Sequence, residues 1–125
     1  MDYKILVLDL DGTLTNTRKE ITPSNREALI QTQQQGTRLV LASGRPTYGI
    51  APLADELQMS QFDGYILSYN GGKIIDWKSK EILYANVLPN AVIPQLYECA
   101  KKNKLAILTY DKECIVTENP EDEYV

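Results

Sequence analysis

Two aspartates one residue apart, Asp9 and Asp11, stand at the end of the apolar run Ile5-Leu6-Val7-Leu8 and are followed by Gly12-Thr13. Carboxylates this close at a strand terminus repel each other unless a cation offsets them. The chain contains no histidine. That excludes Ser-His-Asp and Cys-His nucleophile systems, His-containing zinc sites and His-based pH switches. Acid–base chemistry is left to carboxylates, Lys, Tyr or Cys. Two further polar clusters close later apolar runs: Ser43-Gly44-Arg45 after Leu39–Ala42, and Asn70-Gly71-Gly72 after Tyr65–Leu67. Ser43 lies just before a helix start, where backbone N–H groups and the positive end of the dipole favour an anion. Arg45 reads either as a surface ion pair or as a contact that positions a substrate or loop. Asn70 reads either as a residue lining a substrate opening or as part of an ordinary turn. Gly12 permits a backbone turn that a β-carbon would hinder.

The elements that must position these residues can be read from apolar patterning. Ile5–Leu8 and Leu39–Ala42 are continuous rather than alternating, which suits strands covered on both faces. Between them Thr22-Pro23 reads as N-cap and first helical residue, with Ser24 and Glu27 offering a second capping box, and Gly36 as the C-terminal stop. Pro46 restarts a helix carrying Tyr48, Ile50, Leu53 and Leu57, with an interruption expected at Pro52. Strand–helix–strand–helix–strand with short links predicts an α/β fold with a doubly wound parallel sheet. In such sheets ligands bind beyond the C-terminal strand ends, and all three polar clusters fall there. After residue 72 the pattern predicts a hairpin (73–77 and 81–84), then a helix from Asn90 to Asn103 with Val92, Ile93, Leu96, Tyr97 and Ala100 on one face. Short strands are expected at Leu105–Leu108 and Cys114–Val116. Cys99 and Cys114 read as small packing residues.

Asp-x-Asp-Gly-Thr after the first strand, Ser-Gly-Arg after the second and Asn-Gly-Gly after the third resemble the haloacid dehalogenase (HAD) superfamily. Within it, the sequence resembles the Cof-type phosphatases, which carry a large cap domain inserted late in the core. The resemblance covers essentially the whole chain and implies a HAD-like, Rossmann-type core. It implies that Asp9 is the nucleophile, forming an aspartyl-phosphate. Asp11 is then the general acid and afterwards the base that activates water. It further implies Mg²⁺ held by the Asp9 carboxylate and the Asp11 backbone carbonyl, and phosphate handling by Gly12, Thr13, Ser43, Gly44, Arg45 and Asn70. Asp11 itself separates the chain from the dehalogenase branch, which lacks the second aspartate. The implied substrate is a small phosphorylated metabolite.

Two motifs of that family are missing: a lysine after a later strand, and a following acidic segment that completes the metal site. Lys101 and Lys104 fit neither position. Residues 1–83 therefore read as the first half of a catalytic core and 84–125 as the start of an α+β cap. A C-terminal segment is expected to complete the site, and the 125-residue chain is expected to be a weakly active fragment. The alternative is a non-catalytic remnant that binds phosphate and Mg²⁺ or partners a missing segment. A receiver-type signalling module needs a phospho-accepting Asp ending the third strand, where this chain has Ser68-Tyr69-Asn70. Thirteen Lys+Arg against seventeen Asp+Glu give a net charge of −4, which argues against nucleic acid or an anionic membrane as partner. The N-terminal apolar run is too short for a signal peptide or membrane span, so the expected location is cytoplasmic.

Overall fold

A computed structural model describes residues 3–121. The chain divides into two units, Met1–Asn86 and Val87–Val125. In the first, β1 (Ile5–Asp9), α1 (Pro23–Gln34), β2 (Arg38–Ala42), α2 (Thr47–Glu56) and β3 (Tyr65–Ser68) alternate. β4 (Lys73–Asp76) and β5 (Ile82–Ala85) follow. The sheet order is β1-β2-β3-β4-β5. β1, β2 and β3 are parallel, and β4 and β5 add antiparallel strands. The α/β class with a parallel Rossmann-type sheet is thus present, extended at one side by a hairpin. Register aligns the ends of the parallel strands: Asp9 pairs with Ala42, and Ala42 with Leu67. The three strand ends stand side by side, so the chain leaving each of them enters the same region.

Both crossovers run in the same direction across the sheet. Right-handed connections then place α1 and α2 on one face. Leu39 and Leu41 of β2, Ile66 of β3, and Ile50, Leu53 and Ala54 of α2 form a single buried cluster, with Leu6, Leu8 and Leu29 packed against it. Within residues 3–121, α1 and α2 cover one face of Ile5–Leu8. Ile5 and Val7 are 55% and 57% exposed, and only Leu6 and Leu8 turn toward the core.

Helix α1 begins as the sequence predicts. Thr22 caps it by accepting from Asn25 N, Pro23 is its first residue, and Gly36 leaves it at φ 93°. The second capping box does not form, because Ser24 is already inside the helix and its hydroxyl meets Thr22 Oγ1 at 3.4 Å. Pro52 does not interrupt α2, which runs unbroken from Thr47 to Glu56. An interior proline costs about 3 kcal/mol. Ile50, Leu53 and Ala54, buried on either side of an exposed Pro52, offset it.

In the second unit a 3₁₀ turn, Asn90–Val92, leads into α3 (Ile93–Asn103), with Lys101 and Lys102 in its last turn and Lys104 in the left-handed region at its end. β6 (Leu108–Asp111) and β7 (Cys114–Thr117) form an antiparallel hairpin. The strand expected at Leu105–Leu108 therefore begins only at its last residue. The pairing Asp111↔Cys114 across the two-residue turn Lys112-Glu113 fixes the register and leaves Leu105 to Ile107 outside it. Cys99 and Cys114 are exposed rather than packed. The acidic stretch that starts at Glu118 continues past the described residues.

Candidate active site

The site is assembled at the C-terminal edge of the parallel strands. After Asp9 the chain folds back on its own strand end: Leu14 N donates to Asp9 O (3.1 Å), and Thr13 N and Thr15 N both donate to Leu10 O (3.3 and 2.9 Å). Leu10 and Leu14 are buried, whereas Asp9, Asp11 and Thr13 are exposed. Apolar anchors thus hold a loop whose polar residues face outward. The reversal passes through Gly12 at φ 81°, a conformation that other residues rarely adopt. A Cβ there would meet nothing within 4 Å, so the demand on Gly12 is conformational rather than steric. Thr13 Oγ1 donates to Asp9 Oδ2 at 3.1 Å. That bond orients the carboxylate and leaves Oδ1 without a hydrogen bond among the described residues.

The loops after β2 and β3 are laced together by backbone hydrogen bonds. Ser43 N donates to Leu67 O (3.0 Å), Asn70 N to Ser43 O (3.2 Å) and Tyr69 N to Arg45 O (3.0 Å). Ser43 Oγ accepts from Arg45 N at 3.2 Å. Its hydroxyl proton therefore remains available for an anion. Tyr69, Asn70 and Gly71 all have positive φ (54°, 53° and 86°), so the chain leaves β3 in a tight left-handed run. This brings the Asn70 amide against Gly44, where a Cβ would stand 3.0 Å from Asn70 Oδ1. The Ser43-Gly44-Arg45 and Asn70 clusters thus form one rim, which register sets beside Asp9.

Arg45 turns to Asp11. Its Nη2 lies 2.6 Å from Asp11 Oδ1 and its Nε 3.1 Å from Oδ2, while Nη1 donates to Gly49 O. Lys19 Nζ reaches the same Oδ1 at 2.7 Å. Hydrogen bonds from Arg45 and then Lys19 hold the Asp11 carboxyl below its ordinary value, against a smaller upward push from burial. The two cations favour the ionised form of Asp11. The repulsion between two neighbouring aspartates is met here by two side-chain cations. Lys19 is the residue that sequence reading missed. Nothing in its periodicity marks it, because a five-residue turn organised by Asn16 delivers it to Asp11.

The Oδ1 oxygen of Asp9 and the Asp11 carbonyl are hard oxygen donors of the kind Mg²⁺ prefers. They can make part of a metal site only: among the described residues no group of three or more His, Cys, Asp or Glu side chains gathers to hold an ion. Among those residues, too, no helix is long and apolar enough to cross a membrane.

A family model described as haloacid dehalogenase-like hydrolase matches residues 6–125. The chain is 31% identical over 120 residues to the pyridoxal phosphate phosphatase YbhA of Escherichia coli, covering 96% of this chain and 43% of that protein. It is 33% identical over 76 residues to the 5-amino-6-(5-phospho-D-ribitylamino)uracil phosphatase YcsE of Bacillus subtilis, covering 61% of this chain and 29% of that one. The crystal structure of a haloacid dehalogenase-like hydrolase from Bacteroides thetaiotaomicron superposes with a TM-score of 0.88 at 68% identity, over 97% of this chain and 46% of that chain. The chain spans less than half the length of each of these proteins.

Proposed function

The chain belongs to the haloacid dehalogenase-like hydrolases, and from that membership we propose that it carries the nucleophile half of a Mg²⁺-dependent phosphomonoester hydrolase. The observation that carries the proposal is the placement of Asp9 at the end of β1 with one carboxylate oxygen tied by Thr13 and the other unbonded among the described residues. Asp9 Oδ1 attacks phosphorus in line, an Asp9 acyl-phosphate forms and the alcohol leaves. Asp11 gives that alcohol its proton and then takes one from the water that hydrolyses the acyl-phosphate. Two adjacent cations favour the ionised Asp11 that enters the second step and oppose the protonated form that the first step uses and the second regenerates. Ser43 Oγ–H donates to a phosphoryl oxygen, and the Gly12-Thr13 and Ser43-Gly44 backbone lines the phosphate, with Asn70 and Arg45 at the rim. Mg²⁺, held by the Asp9 carboxylate and the Asp11 carbonyl, would offset the repulsion between an anionic nucleophile and an anionic phosphate. The remaining metal carboxylates and a phosphate-stabilising lysine are supplied from outside residues 1–125.

Small phosphorylated metabolites are the proposed substrates, in keeping with the pyridoxal phosphate and ribitylamino-uracil phosphatases among its relatives. The proposed domain division places the catalytic core at 1–83 and the start of a cap at 84–125. A cytoplasmic location is part of the proposal, and the exposed site suits soluble metabolites. The test is phosphate release from a generic aryl phosphate by the full-length protein, with and without Mg²⁺, beside Asp9→Asn. Metal-dependent release lost in Asp9→Asn supports the reading. A protein that binds phosphate without releasing it from the ester is a binder, and the reading fails.

A further inference from the structure

The segment between the Asp11 loop and α1 is closed on itself by hydrogen bonds. Asn16 Oδ1 accepts from Arg18 N (2.9 Å) and Glu20 N (3.1 Å), Lys19 N donates to Asn16 O (2.9 Å), and Asn16 N donates to Glu20 O (3.0 Å). An asparagine that bonds backbone groups two and four residues on is a strong local turn organiser. The turn is also anchored at its start. Thr15 is buried, its hydroxyl donates to Leu10 O at 3.0 Å, and its backbone bridges to Asp11. Arg18 and Glu20 pair with each other at the exposed surface. Lys19 lies between them at φ 63°, in the left-handed region that glycine and asparagine usually fill. Lys80, Lys104 and Lys112 share that left-handed backbone, so what distinguishes Lys19 is the carboxylate its ammonium reaches. Its side chain reaches Asp11 Oδ1 at 2.7 Å.

Arg45 contacts the same carboxylate from a different loop, spanning both of its oxygens. We infer that Lys19 is a positioning residue for Asp11: with Arg45 it holds the carboxylate in one rotamer at the end of β1. The inference rests on the phosphohydrolase reading of Asp9 and Asp11 and adds to it a residue that acts on the reaction through Asp11. Lys19 is thereby a requirement for fast turnover rather than for substrate capture.

The left-handed backbone supplies a clean variant. Lys19→Gly removes the ammonium and keeps the turn, because glycine adopts φ 63° without strain. Lys19→Arg returns a cation. In the full-length protein, Lys19→Gly is expected to lower kcat about tenfold, which is about 1.4 kcal/mol of transition-state stabilisation. KM should move less than about twofold, since Lys19 contacts Asp11 and not the substrate. Lys19→Arg should recover most of kcat. NMR couplings across the Asp11 Cα–Cβ bond, measured without metal, should report one rotamer in the wild type and averaging in Lys19→Gly. Unchanged or raised kcat, an equal loss in Lys19→Arg, or an Asp11 rotamer still fixed in Lys19→Gly each overturns the inference. Asp9→Asn in the same assay keeps the two claims apart. Residual turnover there defeats the phosphohydrolase reading, whereas a dead Asp9→Asn beside a fully active Lys19→Gly defeats only the role of Lys19.

Discussion

Replacing Asp11 with asparagine should separate activity from stability, and the structure sets the scale of both effects. Asp11→Asn removes a charge that faces Arg45 Nη2 at 2.6 Å and Lys19 Nζ at 2.7 Å. The side chains are 40% exposed for Asp11, 63% for Lys19 and 29% for Arg45, so water screens both pairs. Exposed pairs contribute about 0.2–1 kcal/mol each, and the two-pronged Arg45 contact belongs near the top of that range. Asparagine keeps one acceptor oxygen for these donors. The expected cost is therefore about 1 kcal/mol, or a drop in Tm of roughly 2–8 °C. Loss of the acid–base group should instead lower kcat by about 10²–10⁴. An activated aryl phosphate needs little help in losing its leaving group, so acyl-phosphate formation on Asp9 should survive while its hydrolysis stalls. Rapid-quench kinetics should show a stoichiometric burst followed by near-arrest, beside a thermal melt close to that of the wild type. Wild-type steady-state turnover in Asp11→Asn would refute the acid–base role. A stability loss several times larger would recast Asp11 as a structural pin between its two loops.

Ser43→Ala keeps the strand end but loses the Ser43 Oγ–H, and should weaken phosphate handling by about 1–3 kcal/mol, the scale of a charge-assisted hydrogen bond; unchanged kcat/KM would leave Ser43 as a turn residue whose oxygen serves only Arg45 N. Gly12→Ala meets no steric obstacle yet must adopt φ 81°, so urea denaturation should show a loss of about 1–2 kcal/mol, and an unaltered midpoint would mean that the turn tolerates another conformation. Asp76, the last residue of β4, accepts from Ser79 N (2.9 Å) and Lys78 N (2.8 Å) in the turn that follows, and these bonds, that of Ser79 foremost, hold its carboxyl below the ordinary value of 3.8. A group depressed on folding stabilises in full above its unfolded pKa, and that contribution fades as pH falls through the folded one. Asp76→Asn retains the acceptor without titrating, so its stability should fall less than that of the wild type between about pH 5 and the acid limit; parallel denaturation curves would contradict this.

The parts of this fold that local chemistry decides were legible. Thr22-Pro23 and Gly36 punctuate α1 because a cap, a proline at the first position and a left-handed exit are short-range demands. The three polar clusters could be assigned to one edge because parallel strands all point the same way. What tertiary context decides was not legible. Pro52 sits inside α2 because buried neighbours outweigh its cost, and no window of sequence shows that burial. β6 starts at Leu108 because the Lys112-Glu113 turn fixes its register against β7. At the site, Asp9, Asp11 and Ser43 announce themselves by motif. Lys19 does not, because side-chain bonds of Asn16 create its position and lysine has no preference for it. The same limit applies to Arg45, whose two sequence readings differ only in which carboxylate or ligand it faces. In the structure it faces Asp11.

Passage of phosphate through a covalent bond to Asp9 is the step on which the proposed chemistry depends. Its most direct test is acid quenching of the full-length protein during turnover of an aryl phosphate, borohydride reduction of any acyl-phosphate, and peptide mass spectrometry across residues 4–18. Reduction is expected at residue 9 alone, dependent on substrate and Mg²⁺, and none is expected in Asp9→Asn. Reduction at another carboxylate, or turnover with no trapped residue at all in both the wild type and the stalled Asp11→Asn protein, would contradict a covalent role for Asp9.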